Sequence, residues 1–276
     1  MVLKGWVNSL HRTAGNVAPL AWLALKVRNQ CECIIGYRLG EDAEVTDTGN
    51  SEDWLVSLVA REVNWFLDVG ANVGDWTACI LSENADVRGV LCEPVPWCYE
   101  SLLCRFAGNL NLCLLPVALS SSGGKARFSI MPGNAKTSSL LVPRNNPIQS
   151  SIEVDLKTVD MIAEESGCDF IDFLKCDCEG FDLPVLQGGR KMITEGRVGL
   201  IQFEYNSMWI RAGYTLAQAL EWLASNGYQG YLLRHRALWH FDYEKWGEFE
   251  RFANFVAFRR GSKFESQLVA QIKGKI

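Results

Sequence analysis

Apolar and polar positions along the chain fall into two kinds of block. Short runs, Trp65–Val69, Gly89–Cys92, Leu112–Leu115, Phe170–Cys176 and Val198–Tyr205, are apolar nearly throughout and read as buried strands. Between them, stretches beginning at Asp75 and spanning Tyr99–Phe106, Val159–Glu165, Val185–Ile193 and Leu216–Asn226 carry helical spacing. This alternation predicts an α/β, Rossmann-like doubly wound sheet, mostly parallel, with helices on both faces. The end of the chain breaks the pattern. GYLLR and FANFVAF follow each other across an irregular aromatic loop with no crossover helix, so the last strand is expected to be antiparallel. The main strands number about seven.

Two regions stand outside the alternation. Residues 1–50 read as an N-terminal extension, with a helix at Ala18–Arg28, an extended piece at Cys33–Arg38 and a polar loop, EDAEVTDTGNSED. The remaining residues, 51–276, form the main domain. Within it, the strand-like ARFSI and IEVDL flank a long polar segment, about 133–151, placed where an acceptor would enter and suited to a lid.

Composition narrows the function classes. The chain has 276 residues, 48% hydrophobic and 21% charged, with a formal net charge of -5, as expected of a soluble globular protein. No basic stripe interleaved with aromatics is present, so nucleic acid is not expected as a partner. The apolar run Val17–Leu25 stops at Lys26 and Arg28, too short for a membrane span, and no cleavage site follows it; a cytoplasmic location is expected. The ten cysteines are scattered through apolar patterns and read as small reduced core residues. The C-x-C pairs Cys31/Cys33 and Cys176/Cys178 lack the matching ligands of a zinc site.

The chemistry begins at FLDVGANVGDW, Phe66–Trp76. The first strand ends at Asp68-Val69 and runs into Gly70, Ala71, Asn72, Val73 and Gly74. Gly70 permits a tight turn with positive φ, and Gly74 lets the next helix start close to the strand. A pyrophosphate fingerprint needs a glycine where Asn72 stands, so the ligand expected here is a nucleoside without a diphosphate. S-adenosylmethionine fits. Backbone N–H groups of the turn would take its carboxylate and Asp68 its ammonium. Glu93 ends the second strand nineteen residues after Gly74, where a doubly wound fold places the acid that accepts from ribose hydroxyls, and Pro94 stiffens the turn below the adenine.

Four blocks, FLDVGANVGDWT, EPVPWCYESL, NLCLLPVALSSSGGKARFSI and FIDFLKCDCEGFDLPVLQG, resemble the successive motifs of the FkbM-type methyltransferases. That resemblance covers roughly Val63–Phe258, and Leu174–Gly180 is its most specific part. It implies a class I, S-adenosylmethionine-dependent enzyme, mostly O-methylating. By position it implies that Asp68, Gly70, Asn72 and Gly74 hold the methionine end, Glu93 the ribose, and the segment from Ala118 to Ser120 the adenine. It also implies an aromatic-threonine pair after the turn, matched by Trp76-Thr77. Cys176 and Cys178 stand where the family pattern has aliphatic residues.

An alcohol acceptor needs a base or a metal to raise its nucleophilicity. In LKCDCEG, Lys175, Asp177 and Glu179 alternate at the end of a strand, so their side chains leave on one face. Asp177 is the first candidate for positioning or deprotonating the acceptor, supported by Lys175 and Glu179, with Glu204 on the next strand beside them. No metal site is assigned; a divalent ion shared by Asp177 and Glu204 is left open. His235 and His240, near the closing loop, read as exposed. Trp209, Trp239, Tyr243 and Trp246 suit either acceptor stacking or core packing.

The leading expectation is an O-methyltransferase acting on a small molecule or glycan, with a homo-oligomer compatible. The alternatives are an N-methyltransferase on nucleic acid or protein, a nicotinamide oxidoreductase, and an adenosyl-binding module without catalysis. CDCEGFD is not the Asn/Asp-Pro-Pro-aromatic motif of base methylases, and Asn72 disfavours a dinucleotide.

Overall fold

The computed structural model describes residues 2–40, 50–130, 150–249 and 251–276. Contacts divide the chain into two compact units, Met1–Leu39 and Gly40–Ile276. The first is a pair of helices, α1 (Val2–Gly15) and α2 (Ala18–Leu39). Pro19 sits in the first turn of α2, where its missing N–H costs nothing. The extended piece expected at Cys33–Arg38 is instead helical. Backbone bonding carries through from the strong helix formers before it, reinforced by the i,i+4 pair Arg28–Glu32 at 3.2 Å, and overrides the local preference of Ile34-Ile35 for strand.

The second unit opens with α3 (Ser51–Val59), whose N-terminus is capped by the Asn50 side chain accepting from the Asp53 N–H at 2.7 Å. There follow β1 (Trp65–Val69), α4 (Asp75–Glu83), β2 (Arg88–Cys92), α5 (Pro96–Arg105) and β3 (Leu112–Leu115). A side branch comes next: β4 (Val117–Leu119), β5 (Gly124–Ile130) and β6 (Ser150–Lys157). The chain continues through α6 (Val159–Glu165), β7 (Ile171–Cys176), α7 (Asp182–Gly188), α8 (Arg190–Thr194), β8 (Val198–Tyr205), α9 (Met208–Ala212) and α10 (Leu216–Ser225). It closes with β9 (Tyr228–Arg234), β10 (Ala237–His240), α11 (Tyr243–Trp246), β11 (Ala253–Arg259), α12 (Glu265–Val269) and β12 (Ile272–Lys275).

Among the described residues, nine strands form the main sheet, in the order β12-β10-β9-β11-β8-β7-β1-β2-β3. The doubly wound α/β class expected from the sequence is what forms. β11 runs antiparallel and is inserted between β8 and β9, bonded to both. The sheet has more strands than the seven expected. β10 lies inside what reads as an aromatic loop, and β12, IKGK, has too little apolar character to announce a strand; both are four residues long. ARFSI and IEVDL do pair, but with β4 they make a separate three-stranded sheet, order β4-β6-β5. The helix expected at Val185–Ile193 is two helices, α7 and α8, broken at Gly188-Gly189. A Cβ on Gly188 would lie 2.2 Å from the Ser120 carbonyl oxygen. The expected lid falls almost wholly on residues 131–149, outside the described residues.

Register explains the site. β1 is flanked by β2 and β7, both parallel, with Val69 level with Cys92 on one side and Cys176 on the other. Three strands therefore end together, delivering Gly70, Glu93 and Asp177 to one edge. Beneath them Trp76 packs edge-on against Phe66 and Phe173, at centroid distances of 5.6 and 5.0 Å.

Candidate active site

The turn after β1 is pinned from both sides. Gly70 has φ 77°, and a Cβ there would come within 2.0 Å of the Asp177 carbonyl oxygen. Gly74, at φ 85°, abuts the Phe106 ring. Arg105 clasps the turn from outside, donating to the Val73 carbonyl at 2.9 Å and to Asp75 at 2.6 Å.

Most backbone donors of the turn are already spent. Gly70 and Ala71 donate to the Cys92 carbonyl, and Gly74 donates to Ala71. Asn72, in the left-handed region at φ 51°, donates to Glu93 Oε2 at 2.8 Å. Glu93 Oε1 accepts from the Val95 N–H, also at 2.8 Å. Each Glu93 oxygen therefore holds one backbone bond and keeps a second lone pair. Burial pushes this carboxyl up to about 7, against the pull of those two N–H groups. The N–H groups left at the mouth are those of Val73 and of the first turn of α4, beginning with Asp75, rather than those of Gly70 and Asn72.

Asp68 lies fully buried beneath the turn. Its Oδ2 accepts from the Thr77 hydroxyl at 2.7 Å, and its Oδ1 faces Lys175 Nζ at 3.6 Å. Lys175 also reaches Asp177 Oδ2 at 3.3 Å. Burial would lower the Lys175 pKa, but the carboxylates of Asp177 and Asp68 overcome it and hold the ammonium well above its usual range. Asp68, Gly74 and Thr77 thus support the site from below, while Gly70, Ala71, Asn72, Glu93, Pro94 and Ala118 line its cavity.

That cavity, about 790 Å³, continues to Lys175, Asp177, Glu179 and Glu204. Carboxylate oxygens of Asp177, Glu179 and Glu204 all lie within 4.8 Å of one another. Backbone geometry aims them. Cys178 accepts from the Phe181 N–H at 3.2 Å around Glu179 (φ 49°) and Gly180 (φ 98°), a turn with two left-handed central residues. Glycine suits the second position; glutamate at the first carries strain of about 1–3 kcal/mol. Burial, then the charges of Asp177 and Asp182, push Glu179 up to about 8. Glu204 is raised well above the ordinary range by burial and by Asp177, Glu179 and Asp182.

Asn206 and Asp182, not anticipated from the sequence, complete the cluster. The Asn206 amide donates to Glu204 Oε1 at 2.6 Å and to Glu179 Oε2 at 3.3 Å, while its Oδ1 accepts from the Met208 N–H at 2.8 Å. The last bond fixes which end of the amide faces the acids. Asp182 Oδ1 accepts from the Glu204 N–H at 3.3 Å, and burial lifts its carboxyl to about 7. Asn206 follows Glu204 by two residues, and that proximity in FEYN was the available signal. Asn50, Glu52 and Asp53, at the cap and start of α3, also line the cavity with Arg251 and Phe252; nothing in their spacing marks them.

The histidines and most loop aromatics stand elsewhere. His235 and Arg236, both at positive φ, make the tight turn between β9 and β10, and His240 packs on Tyr231. Trp209 is buried and donates to the Glu204 carbonyl at 2.8 Å, so of the two roles open to it, packing is the one it fills.

The sequence profile of the Methyltransferase FkbM domain matches residues 68–229. The chain is 26% identical over 154 residues to Methyltransferase sdnD of Sordaria araneosa, covering 45% of this chain and 60% of that protein. It is 26% identical over 184 residues to 2-O-methyltransferase NoeI of Sinorhizobium fredii, covering 60% and 73%. The solved structure of Methyltransferase FkbM from Methylobacillus flagellatus superposes with a TM-score of 0.47 at 17% identity, over 71% of this chain and 44% of that one. This chain therefore spans less than two thirds of sdnD and less than half of the Methylobacillus protein.

Proposed function

The chain belongs to the FkbM methyltransferase family, and on that premise we propose that it methylates a hydroxyl oxygen of a small molecule or glycan, using S-adenosylmethionine. The observation that carries this reading is one cavity, about 790 Å³, joining the Asn72–Glu93 turn to the acids Asp177, Glu179 and Glu204. The residues present fit the cofactor. Glu93 keeps a lone pair on each oxygen for the ribose hydroxyls, and the N–H groups of Val73 and Asp75 sit at the positive end of α4 for a carboxylate. Pro94 and Ala118 give an apolar wall for the base.

When bound, S-adenosylmethionine supplies a methyl group already activated on a sulfonium. The protein's work is to orient the acceptor, exclude water and take a proton. Asp177 is held by Lys175, which leaves it to position the acceptor. Glu179, with a proton affinity near neutrality and an exposed approach from the cavity, is the group suited to accept the hydroxyl proton. Asp177 and Asp182 raise that affinity by their charge, after burial. The orientation of the Asn206 amide favours a base over a metal, because its N–H₂ donates between the two glutamates where a cation would have to bind.

Titration calorimetry with S-adenosylhomocysteine and with NAD tests the premise. Heat with the first alone is expected; no heat with it, or heat with NAD, overturns the reading. Methyl transfer onto a panel of hydroxyl and amine acceptors then tests the choice of oxygen.

A further inference from the structure

We propose that the helical pair α1–α2 lies on the surface of a bilayer rich in anionic lipid. In α1, Trp6, Val7, Leu10 and Ala14 share one face, with Lys4, Asn8, His11 and Arg12 around the other. Among the described residues that apolar face is largely open: Trp6 is 74% exposed and Leu10 65%. The first half of α2, APLAWLAL, is apolar on every side, a pattern that belongs inside an apolar medium, yet Trp22 is 62% exposed. Leu20, Leu23, Leu25 and Val27 are exposed as well.

Charge selects the medium. Residues 1–39 hold five basic residues (Lys4, Arg12, Lys26, Arg28, Arg38) and one acid (Glu32), a net +4; the other 237 residues hold 22 basic and 31 acidic, a net -9. The helical pair is thus a basic apolar element on an acidic protein. Two copies would repel each other, whereas anionic headgroups attract it and repel the rest. Lys26 Nζ lies over the Trp22 ring at 4.2 Å, an arrangement suited to the depth where rings meet headgroups. No helix among the described residues is long and apolar enough to cross a membrane, so the pair lies in the interface plane.

Vesicle co-sedimentation of the full chain tests this, with phosphatidylcholine vesicles carrying roughly one-quarter phosphatidylglycerol and with phosphatidylcholine alone. Binding is expected on the anionic vesicles, weaker by at least about tenfold on neutral ones, and weakened as salt rises from about 0.1 to 0.5 M. W6A/W22A and, separately, K26E/R28E are each expected to lose at least about tenfold, while still binding S-adenosylhomocysteine as a check of folding. No binding to anionic vesicles, equal binding to neutral ones, or unchanged binding by both variants overturns the proposal. So does a stable dimer in sedimentation velocity that W6A/W22A converts to monomer without any vesicle binding.

Discussion

The backbone N–H of Asn72 donates to Oε2 of Glu93 at 2.8 Å, so the acid that ends β2 also fixes the bend that follows β1. Glu93→Gln replaces an acceptor with a donor at one of two buried backbone bonds, and Glu93→Ala removes both. We expect Glu93→Gln to weaken S-adenosylhomocysteine binding at least about tenfold and to lower stability by about 1–3 kcal/mol, read by calorimetry and urea unfolding.

Acid strengths in the site set the pH dependence. Burial raises Glu93 and Asp182 to about 7 and Glu179 to about 8. Each is above its value in an unfolded chain, so between roughly pH 4.5 and 8 the folded protein holds more protons than the unfolded one. Stability of the ligand-free protein should therefore fall as pH rises through that window. A Tm that climbs between pH 5 and pH 8.5 would contradict the assigned burial.

Glu179→Gln removes the proposed base while keeping its size. We expect the methyl-transfer rate to drop about 10²–10⁴-fold, the S-adenosylhomocysteine affinity to hold within about twofold, and the ascending pH limb near 8 to vanish. An unchanged pH profile would move the role to Glu204 or Asp177.

The two glycines Gly70 and Gly213 make a matched pair. Both have left-handed φ, 77° and 87°, but a Cβ on Gly70 would strike the Asp177 carbonyl at 2.0 Å, whereas one on Gly213 would meet nothing within 4 Å. Gly213→Ala should cost about 1 kcal/mol and Gly70→Ala at least about 3 kcal/mol, the difference measuring steric closure rather than backbone strain.

Lys175 stands 3.6 Å from Asp68 and 3.3 Å from Asp177, the first of these fully buried. Lys175→Met strands the Asp68 carboxylate in a poorly hydrated place. A loss of about 3 kcal/mol in urea unfolding is expected.

Where one residue determines its own surroundings, the sequence could be read ahead. The apolar runs of β1, β7 and β8 are buried along their whole length, so composition alone identifies them. Gly70 announces its turn because few other residues tolerate it. Two of the three acids, Asp177 and Glu179, were visible beside Lys175 in LKCDCEG, although β7 ends at Cys176 and a left-handed turn at Glu179, rather than strand alternation, brings them together. What stayed hidden depends on distant chain. β12 is a strand because β10 offers an edge, not because IKGK favours one. Asn206 matters because Met208 turns its amide toward Glu179, twenty-seven residues away in sequence. The donors of the turn shifted from Gly70 and Asn72 to Val73 and Asp75 because Cys92 and Glu93 consume the former, a competition that no local pattern records.

The insertion of β11 between β8 and β9 has a consequence for biosynthesis. Translation delivers β8, buried along all eight residues, more than fifty residues before the strand that covers its open edge. Until the ribosome has released Arg259, a nascent chain shows an unpaired, apolar ribbon to the cell, a surface that chaperones bind and that stray strands extend. A synonymous change that slows decoding between Tyr205 and Ala253 would lengthen that exposure without altering one atom of the finished protein.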